Sequence, residues 1–206
     1  MAVNDPAMLR YLFTIAAIAT LAAPAIGAVA IGQPAPAFAA TDSNGKTVQL
    51  SDFRGKRVVL EWTNPECPFV EAHYSSGNMQ RQQREARRNG TIWLTINSTA
   101  KGKAGNLDAA AANAGMRSEG ARPHAYLLDT DGKIGRAYDA GFTPQMFVIA
   151  ADGKLAYAGG IDDVPSANPA DIAKADQLVS KALSQLREGK EVRKSTSRPY
   201  GCSIKY

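Results

Sequence analysis

The chain has 206 residues, 45% of them hydrophobic and 21% charged, with a formal net charge of +5. That balance sustains a core and excludes a disordered or low-complexity chain, and the length fits one domain with appendages. The basic residues are scattered. Their densest group, Arg81, Arg84, Arg87 and Arg88, falls late in a predicted helix and complements its C-terminal dipole. No aromatic or glycine-rich RNA motif accompanies it, so no nucleic-acid partner is expected.

Arg10 precedes an apolar run over residues 11–23, and Ala28-Val29-Ala30 fits the small-x-small pattern of a signal-peptide cleavage site. The run is short and interrupted by threonine, which argues against a membrane span. Residues 1–30 therefore read as a signal peptide cut after Ala30, with export to the periplasm. An uncleaved membrane anchor is the alternative, and a buried helix a third reading. Asp5 is out of place in a positive n-region, whereas a start at Met8 restores a short basic one. In an oxidising compartment the two cysteines, Cys67 and Cys202, are expected as a structural disulfide or a redox pair.

A proline-marked segment over residues 31–38 leads into residues 38–40 and 46–50, which flank the turn-rich Asp42-Ser43-Asn44-Gly45 and read as a hairpin. Residues 57–62 are β-branched and apolar, as a central strand requires. A loop, residues 63–66, delivers Cys67. Helix is predicted from Pro68 to about Arg88, with proline at the first helical position, a weak point at Ser75-Ser76-Gly77, and a stop at Asn89-Gly90. Residues 91–96 form a second buried strand, and residues 106–114 a short helix capped by Asn106. A third strand at 125–128 and one or two helical turns within 133–140 follow. Residues 146–149 and 155–159 flank Asp152-Gly153, a strong hairpin signal. From Pro169 to Leu186, Ile172, Ala175, Val179, Ala182, Leu183 and Leu186 mark one face of an amphipathic helix. The tail, residues 189–206, is polar, offers little core, and carries Cys202. This order predicts an α/β fold, a mixed central sheet flanked by helices, with an N-terminal hairpin and an extended C-terminal tail.

Cys67 sits where a strand ends and a helix begins. A helix N-terminus carries partial positive charge and unpaired N–H groups, so a thiolate there is stabilised and its pKa falls from about 8.5. A buried inert cysteine is the competing reading. Glu66 beside it would oppose the shift if close. His73 and His124, the only histidines, give no zinc spacing with two distant cysteines and read as surface or satisfied structural residues. His73, six residues beyond Cys67, is too far for a base. Trp62 and Trp93 read as core aromatics. With no phosphate-cradling or dinucleotide motif, neither metal nor organic cofactor is expected.

Residues 58–70, ending in Cys67-Pro68-Phe69-Val70, resemble the strand, loop and nucleophile turn of the thioredoxin-like superfamily, within it the redoxin (alkyl hydroperoxide reductase/thiol-specific antioxidant) group. Val70 stands where a thioredoxin has its second cysteine. Residues 141–149 resemble the segment whose cis proline packs beside the active cysteine. The resemblance implies that Thr143-Pro144 offers backbone groups to an incoming extended chain or small substrate. The terminal Gly201-Cys202-Ser203 resembles the resolving cysteine of a peroxiredoxin-like branch. The likeness covers residues 31–206, with 31–188 as the thioredoxin-like domain, and implies a thiol oxidoreductase.

In its peroxiredoxin-like form Cys67 reduces a peroxide through a sulfenic acid, Cys202 resolves it, and an external thiol donor (a thioredoxin-like protein or a small thiol) recycles the pair as an antioxidant system. In the alternative, Cys67 attacks a substrate disulfide. In a third reading, Cys67–Cys202 is a permanent staple on a non-catalytic thioredoxin fold. The peroxiredoxin pattern Pro-x-x-x-Thr-x-x-Cys is not kept: Leu60 replaces the proline, Asn64 the threonine, and Thr63 is displaced by one place. Asn64 or Thr63 would have to supply the missing hydrogen bond, and Arg122 and Arg136 are the candidates for the peroxide-positioning arginine. Expected site residues are Cys67 and Cys202 as catalytic groups and Thr63, Asn64, Pro68, Thr143 and Pro144 around the substrate. N-terminal sequencing is expected to find a primary product starting at Met8 and a processed chain starting at Ile31; residues before Met8 in the primary product would exclude that start.

Overall fold

A computed structural model of the chain describes Met1 and residues 29–206. The proposed signal segment thus lies almost wholly outside the described residues. A two-stranded hairpin comes first, β1 (Ala39–Thr41) with β2 (Thr47–Gln49). The chain continues through β3 (Val58–Trp62), α1 (Pro68–Ser75), α2 (Asn78–Arg88), β4 (Ile92–Asn97), α3 (Ala109–Ser118), β5 (Ala125–Leu128) and α4 (Lys133–Ala137). It ends with β6 (Phe142–Thr143), β7 (Gln145–Ile149), β8 (Leu155–Gly159), α5 (Pro169–Ile172), α6 (Leu178–Arg187) and β9 (Cys202–Ser203). The central sheet has the order β5-β4-β3-β7-β8: β3, β4 and β5 run parallel, and β7 and β8 are antiparallel to their neighbours.

The sheet is covered on both faces, so its inner strands are buried along their whole length. Alternation sorts the side chains. Val58, Leu60, Trp62, Leu94, Ile96, Phe147 and Ile149 join one core with Phe53, Ile134 and Tyr138. Val59, Trp93, Met146, Val148 and Tyr157 join the other with Cys67, Val70, Tyr74, Met79 and Val179. Trp62 and Trp93 are thus core residues, as expected. Pairing of Trp62 with Ile96 and with Gln145 aligns the ends of β3, β4 and β7, where the loop to Cys67 and the Thr143-Pro144 segment meet.

Three boundaries differ from expectation. The helix after β4 begins at Ala109, because Asp108 rather than Asn106 caps it, its carboxylate accepting from Ala111 N at 2.8 Å. Asn106 instead donates to the Thr99 carbonyl at 2.8 Å. The amphipathic stretch after Pro169 is two helices, since the N–H groups of Leu178 and Val179 donate across to the Ile161 carbonyl, at 3.0 and 3.4 Å, instead of back along the helix. Gly77, at φ 71°, separates α1 from α2 at the expected weak point.

The largest difference is the tail, which is bound along its length. Ser195 O accepts from Ala158 N at 3.0 Å, and Ser197 N donates to Ala158 O at 3.1 Å. β9 pairs with β6, Ile204 N donates to Gly141 O, and Ile204 packs against the first core. Polar composition concealed this because backbone groups and the polar side chains of Ser197, Tyr200 and Tyr206 hold the segment.

Phe147 lies 5.1 Å from Trp62 and 5.4 Å from Tyr138, ring centre to ring centre, and is 2% exposed. Phe147→Ala is expected to cost about 3–5 kcal/mol in urea denaturation; a loss below about 1 kcal/mol would show that this aromatic cluster is not what secures the sheet.

Candidate active site

Cys67 is the N-cap of α1, with extended backbone (φ −89°, ψ 117°) and Pro68 as the first helical residue. The turn that delivers it is built by Asn64. The Asn64 carbonyl accepts from Cys67 N at 3.0 Å, and its side-chain oxygen accepts from Glu66 N at 2.8 Å. The Asn64 amide donates to Ala104 O at 3.2 Å and Thr99 Oγ1 at 3.3 Å, tying the turn to the loop after β4. Thr63 is buried and its N–H donates to Ile96 O at 2.9 Å, continuing the sheet to the edge of the site. Asn64 is therefore committed to holding the loop.

Cys67 and Cys202 form a disulfide across 135 residues, with Cα atoms 5.8 Å apart. Cys67 is 1% exposed, whereas Cys202 is half-buried. A reachable Cys67 sulfur is thus not what the oxidised chain presents, because the tail lies over it. The Cys67 Sγ sits 3.0 Å from the Thr143 carbonyl oxygen, to which a thiol would donate and a disulfide sulfur cannot. Thr143-Pro144 is cis, and Thr143 pairs directly with Cys202 in the β6–β9 ladder. Cys67, Pro68, Thr143, Pro144 and Cys202 therefore meet at one place, with Thr63 and Asn64 beneath the turn.

The two arginines do not join them. Arg122 lies with Lys56, Trp93 and His124 at the start of β3 and β4, the opposite end of the sheet. Arg136 stacks on Tyr206, 4.6 Å from its ring centre, and donates to Asp131 O at 2.7 Å.

Two polar groups near the site, one buried and one half-buried, were not singled out in the sequence. Glu61, on β3, is fully buried and accepts from Trp93 Nε1 (2.6 Å), Tyr74 OH (2.7 Å), Thr95 Oγ1 (3.0 Å) and Gln83 Nε2 (3.3 Å). Burial pushes its carboxyl up, and these bonds oppose that shift. Its signal was an acid interrupting a buried strand. The second group is Tyr200, whose hydroxyl donates to Asp162 Oδ1 at 2.5 Å and lies 3.0 Å from His73 Nε2. Asn78 Nδ2 donates to His73 Nδ1 at 2.9 Å, so Nε2 carries the proton and donates to Tyr200. His73 thus has a satisfied structural role, through partners no local pattern could supply.

The matched region includes this turn, since the model of the AhpC/TSA family fits residues 31–158. The chain belongs to the AhpC/TSA family. Thiol-disulfide oxidoreductase ResA of Bacillus subtilis (strain 168) is 31% identical over 124 residues, 60% of this chain; the chain spans 64% of that relative's length. A crystal structure of an uncharacterised conserved protein of Geobacillus kaustophilus has 27% identity and a TM-score of 0.73, covering 86% of this chain and 93% of that one. A Chlorobium tepidum protein described as thiol:disulfide interchange protein DsbE has 24% identity and a TM-score of 0.52, covering 64% of this chain and 85% of that one. The fold of this AhpC/TSA protein is thioredoxin-like.

Burial lowers the His73 pKa to about 4, so its 3.9 Å approach to Asp162 Oδ2 is not an ion pair at neutral pH. An unfolded histidine titrates near 6.5. The stability that neutral His73 supports is therefore complete above pH 6.5 and is lost as the pH falls from there toward about 4. The stability gap between wild type and His73→Gln, measured in urea, is expected to shrink by about 3 kcal/mol from pH 7 to pH 4; a gap independent of pH would show that the imidazole is not held neutral.

Proposed function

We propose that this AhpC/TSA protein is an exported thiol–disulfide oxidoreductase whose redox couple is Cys67 and Cys202. The observation that carries the reading is the tail strand. It lays Cys202 antiparallel to Thr143, beside Pro144, and directly on the cysteine that caps α1. The relative named as a thiol-disulfide oxidoreductase supports the same reaction class.

In the reducing direction an external thiolate attacks Cys202 Sγ, on the more exposed residue of the pair. The Cys67–Cys202 bond breaks, and its electron pair leaves on the Cys67 sulfur. That sulfur fills no capping hydrogen bond in the disulfide. As a thiolate at the N-cap it faces the first-turn N–H groups that a capping oxygen would otherwise take. A second donor thiolate then releases Cys202. In the forward direction the Cys67 thiolate attacks a substrate disulfide and the first substrate sulfur leaves. Cys202 then attacks the Cys67 sulfur of the mixed disulfide and expels the second. The sum is one substrate disulfide reduced and one donor disulfide formed. In this cycle Asn64 and Thr63 hold the loop, Pro68 leaves the helix end open, and Thr143-Pro144 receives the incoming chain.

Peroxide reduction by the same sulfur is the second reading and has less support: the Asn64 amide is occupied, and neither Arg122 nor Arg136 lies at the sulfur. A permanent staple is the third, since closing a loop of 135 residues contributes about 5 kcal/mol in the chain-entropy model.

The Thr143 carbonyl favours a protonated Cys67 and the helix end, with its unpaired N–H groups and dipole, an ionised one, and the helix end is expected to dominate. In full-length Cys202→Ser, thiolate absorbance is expected to place the Cys67 pKa near about 7. The wild-type couple is expected to equilibrate with glutathione, above about −300 mV. A thiol no more acidic than about 8.5 together with a bridge that resists glutathione would overturn the enzymatic reading and leave the staple.

A further inference from the structure

The tail does more than carry a sulfur. Its residues Tyr200, Gly201 and Cys202 fill three adjoining features of the protein surface, each with its own selectivity. Cys202 meets Cys67. Gly201, at φ 119°, passes so close to β6 that a Cβ there would collide with the Thr143 carbonyl and come within 3.3 Å of Pro144 Cδ. Tyr200 enters a socket made by Phe69, His73 and Asp162. The Phe69 ring meets it edge-on at 5.8 Å, and its hydroxyl sits between the His73 donor and the Asp162 acceptor. His73 and Asp162 are 0% and 1% exposed. Asp162 Oδ2 has no hydrogen-bond partner, so the carboxylate depends on Tyr200 and Val164 N, both at Oδ1.

Any polypeptide that forms a mixed disulfide with Cys67 must displace this strand and take its place along β6. We propose that the socket of Phe69, His73 and Asp162 is a recognition site for a tyrosine two residues before the partner's reactive cysteine. With it, the passage over Thr143 requires glycine between the two. The partner is thus an extended polypeptide of the form Tyr-Gly-Cys, and the docked tail is its intramolecular copy. This rests on the thiol–disulfide reading above, and it adds a substrate class. The chemistry of selection is the asymmetry of buried hydrogen bonds. A phenylalanine in the socket fills the space but leaves a buried imidazole N–H and a buried carboxylate without their shared partner, and sites of that kind reject the analogue lacking the hydroxyl.

The test uses full-length Cys202→Ser, in which Cys67 is the sole cysteine. It is mixed with 2-thiopyridyl disulfides of Tyr-Gly-Cys-Ser-Ile, Phe-Gly-Cys-Ser-Ile, Tyr-Val-Cys-Ser-Ile and glutathione. Cys67 thiolate attacks the peptide sulfur, the peptide–thiopyridyl bond breaks, and its electron pair leaves as thiopyridone, whose absorbance reports the rate. The Tyr-Gly-Cys peptide is expected to react at least tenfold faster than either other pentapeptide. Rates within twofold of one another, with glutathione reacting normally, would overturn the socket and leave the redox reading standing. Failure of all four to react faster than with free cysteine would overturn both. A second variant, Tyr200→Ala/Cys202→Ser, empties the socket of its own tail. There the Tyr-Gly-Cys rate is expected to rise at least fivefold, and an unchanged rate would show that tail and peptide do not compete.

Discussion

Everything at the active end of this molecule depends on one short antiparallel pairing, Phe142 with Ser203 and Thr143 with Cys202. β6 has only two residues, but it is not free to move. It runs through Pro144 straight into β7, which pairs with β3 along five residues. The position of the tail is therefore referred to the centre of the sheet. Because the loop to Cys67 leaves the end of the same β3, the two cysteines share a frame despite their distance in the chain. Bound from Ser195 onward, the tail meets Cys67 as part of a folded surface. The pairing of the two sulfurs is then intramolecular and preorganised, with an effective concentration far above that of a free thiol.

The same contact sets a cost. A tail that resolves Cys67 promptly also shields it, and Cys67 becomes available only when β9 lifts away. The buried polar clusters decide how easily that happens. Glu61 carries four hydrogen bonds, all from residues of the folded domain, and none changes when the tail moves. Asp162 and His73 are different, because their common partner Tyr200 belongs to the tail. Undocking exposes a carboxylate and an imidazole that lose a hydrogen bond but regain water, whereas an incoming chain without a phenol would deny them both. The cluster therefore opposes displacement by an unsuited chain more than release into solvent.

The parts legible in the sequence are those encoded locally. The buried run of β3, the capping position of Cys67, the Gly77 interruption and the Asp152-Gly153 hairpin each carry their signal within a few residues, and each stands where periodicity and turn chemistry put it, whereas the cis Thr143-Pro144 was expected from the family resemblance. The elements misjudged are those set by partners outside the helix or strand pattern itself. The gap between α5 and α6 is fixed by the Ile161 carbonyl, and Asn106 turns to Thr99 instead of capping a helix. The tail is recruited by backbone groups of β6 and β8 that hydropathy cannot register. His73 shows the limit most clearly. One partner, Asn78, lies five residues away, but Tyr200 is 127 residues off and Asp162 stands between β8 and α5, so the local pattern could not reveal what the ring holds.

The unequal burial of the two sulfurs gives the site a direction. In the oxidised chain Cys202 is the less buried partner, and in the proposed cycle attack there would expel Cys67, the sulfur at the helix end, where a thiolate is favoured. Attack at Cys67 would have to pass through the covering strand and would expel Cys202, on a tail segment that is not a helix N-terminus. Access and leaving-group stability thus point the same way in the proposed cycle, with electrons entering through the tail. Once reduced, the proposed roles exchange, with Cys67 at the helix end as the attacking thiolate when the strand is displaced. In the proposed cycle Cys202 regains its place beside Cys67 as the bound chain yields β6 to the tail. A permanent staple needs neither a helix-capping sulfur nor a less buried partner; a cycle that takes electrons at one cysteine and delivers them at the other needs both.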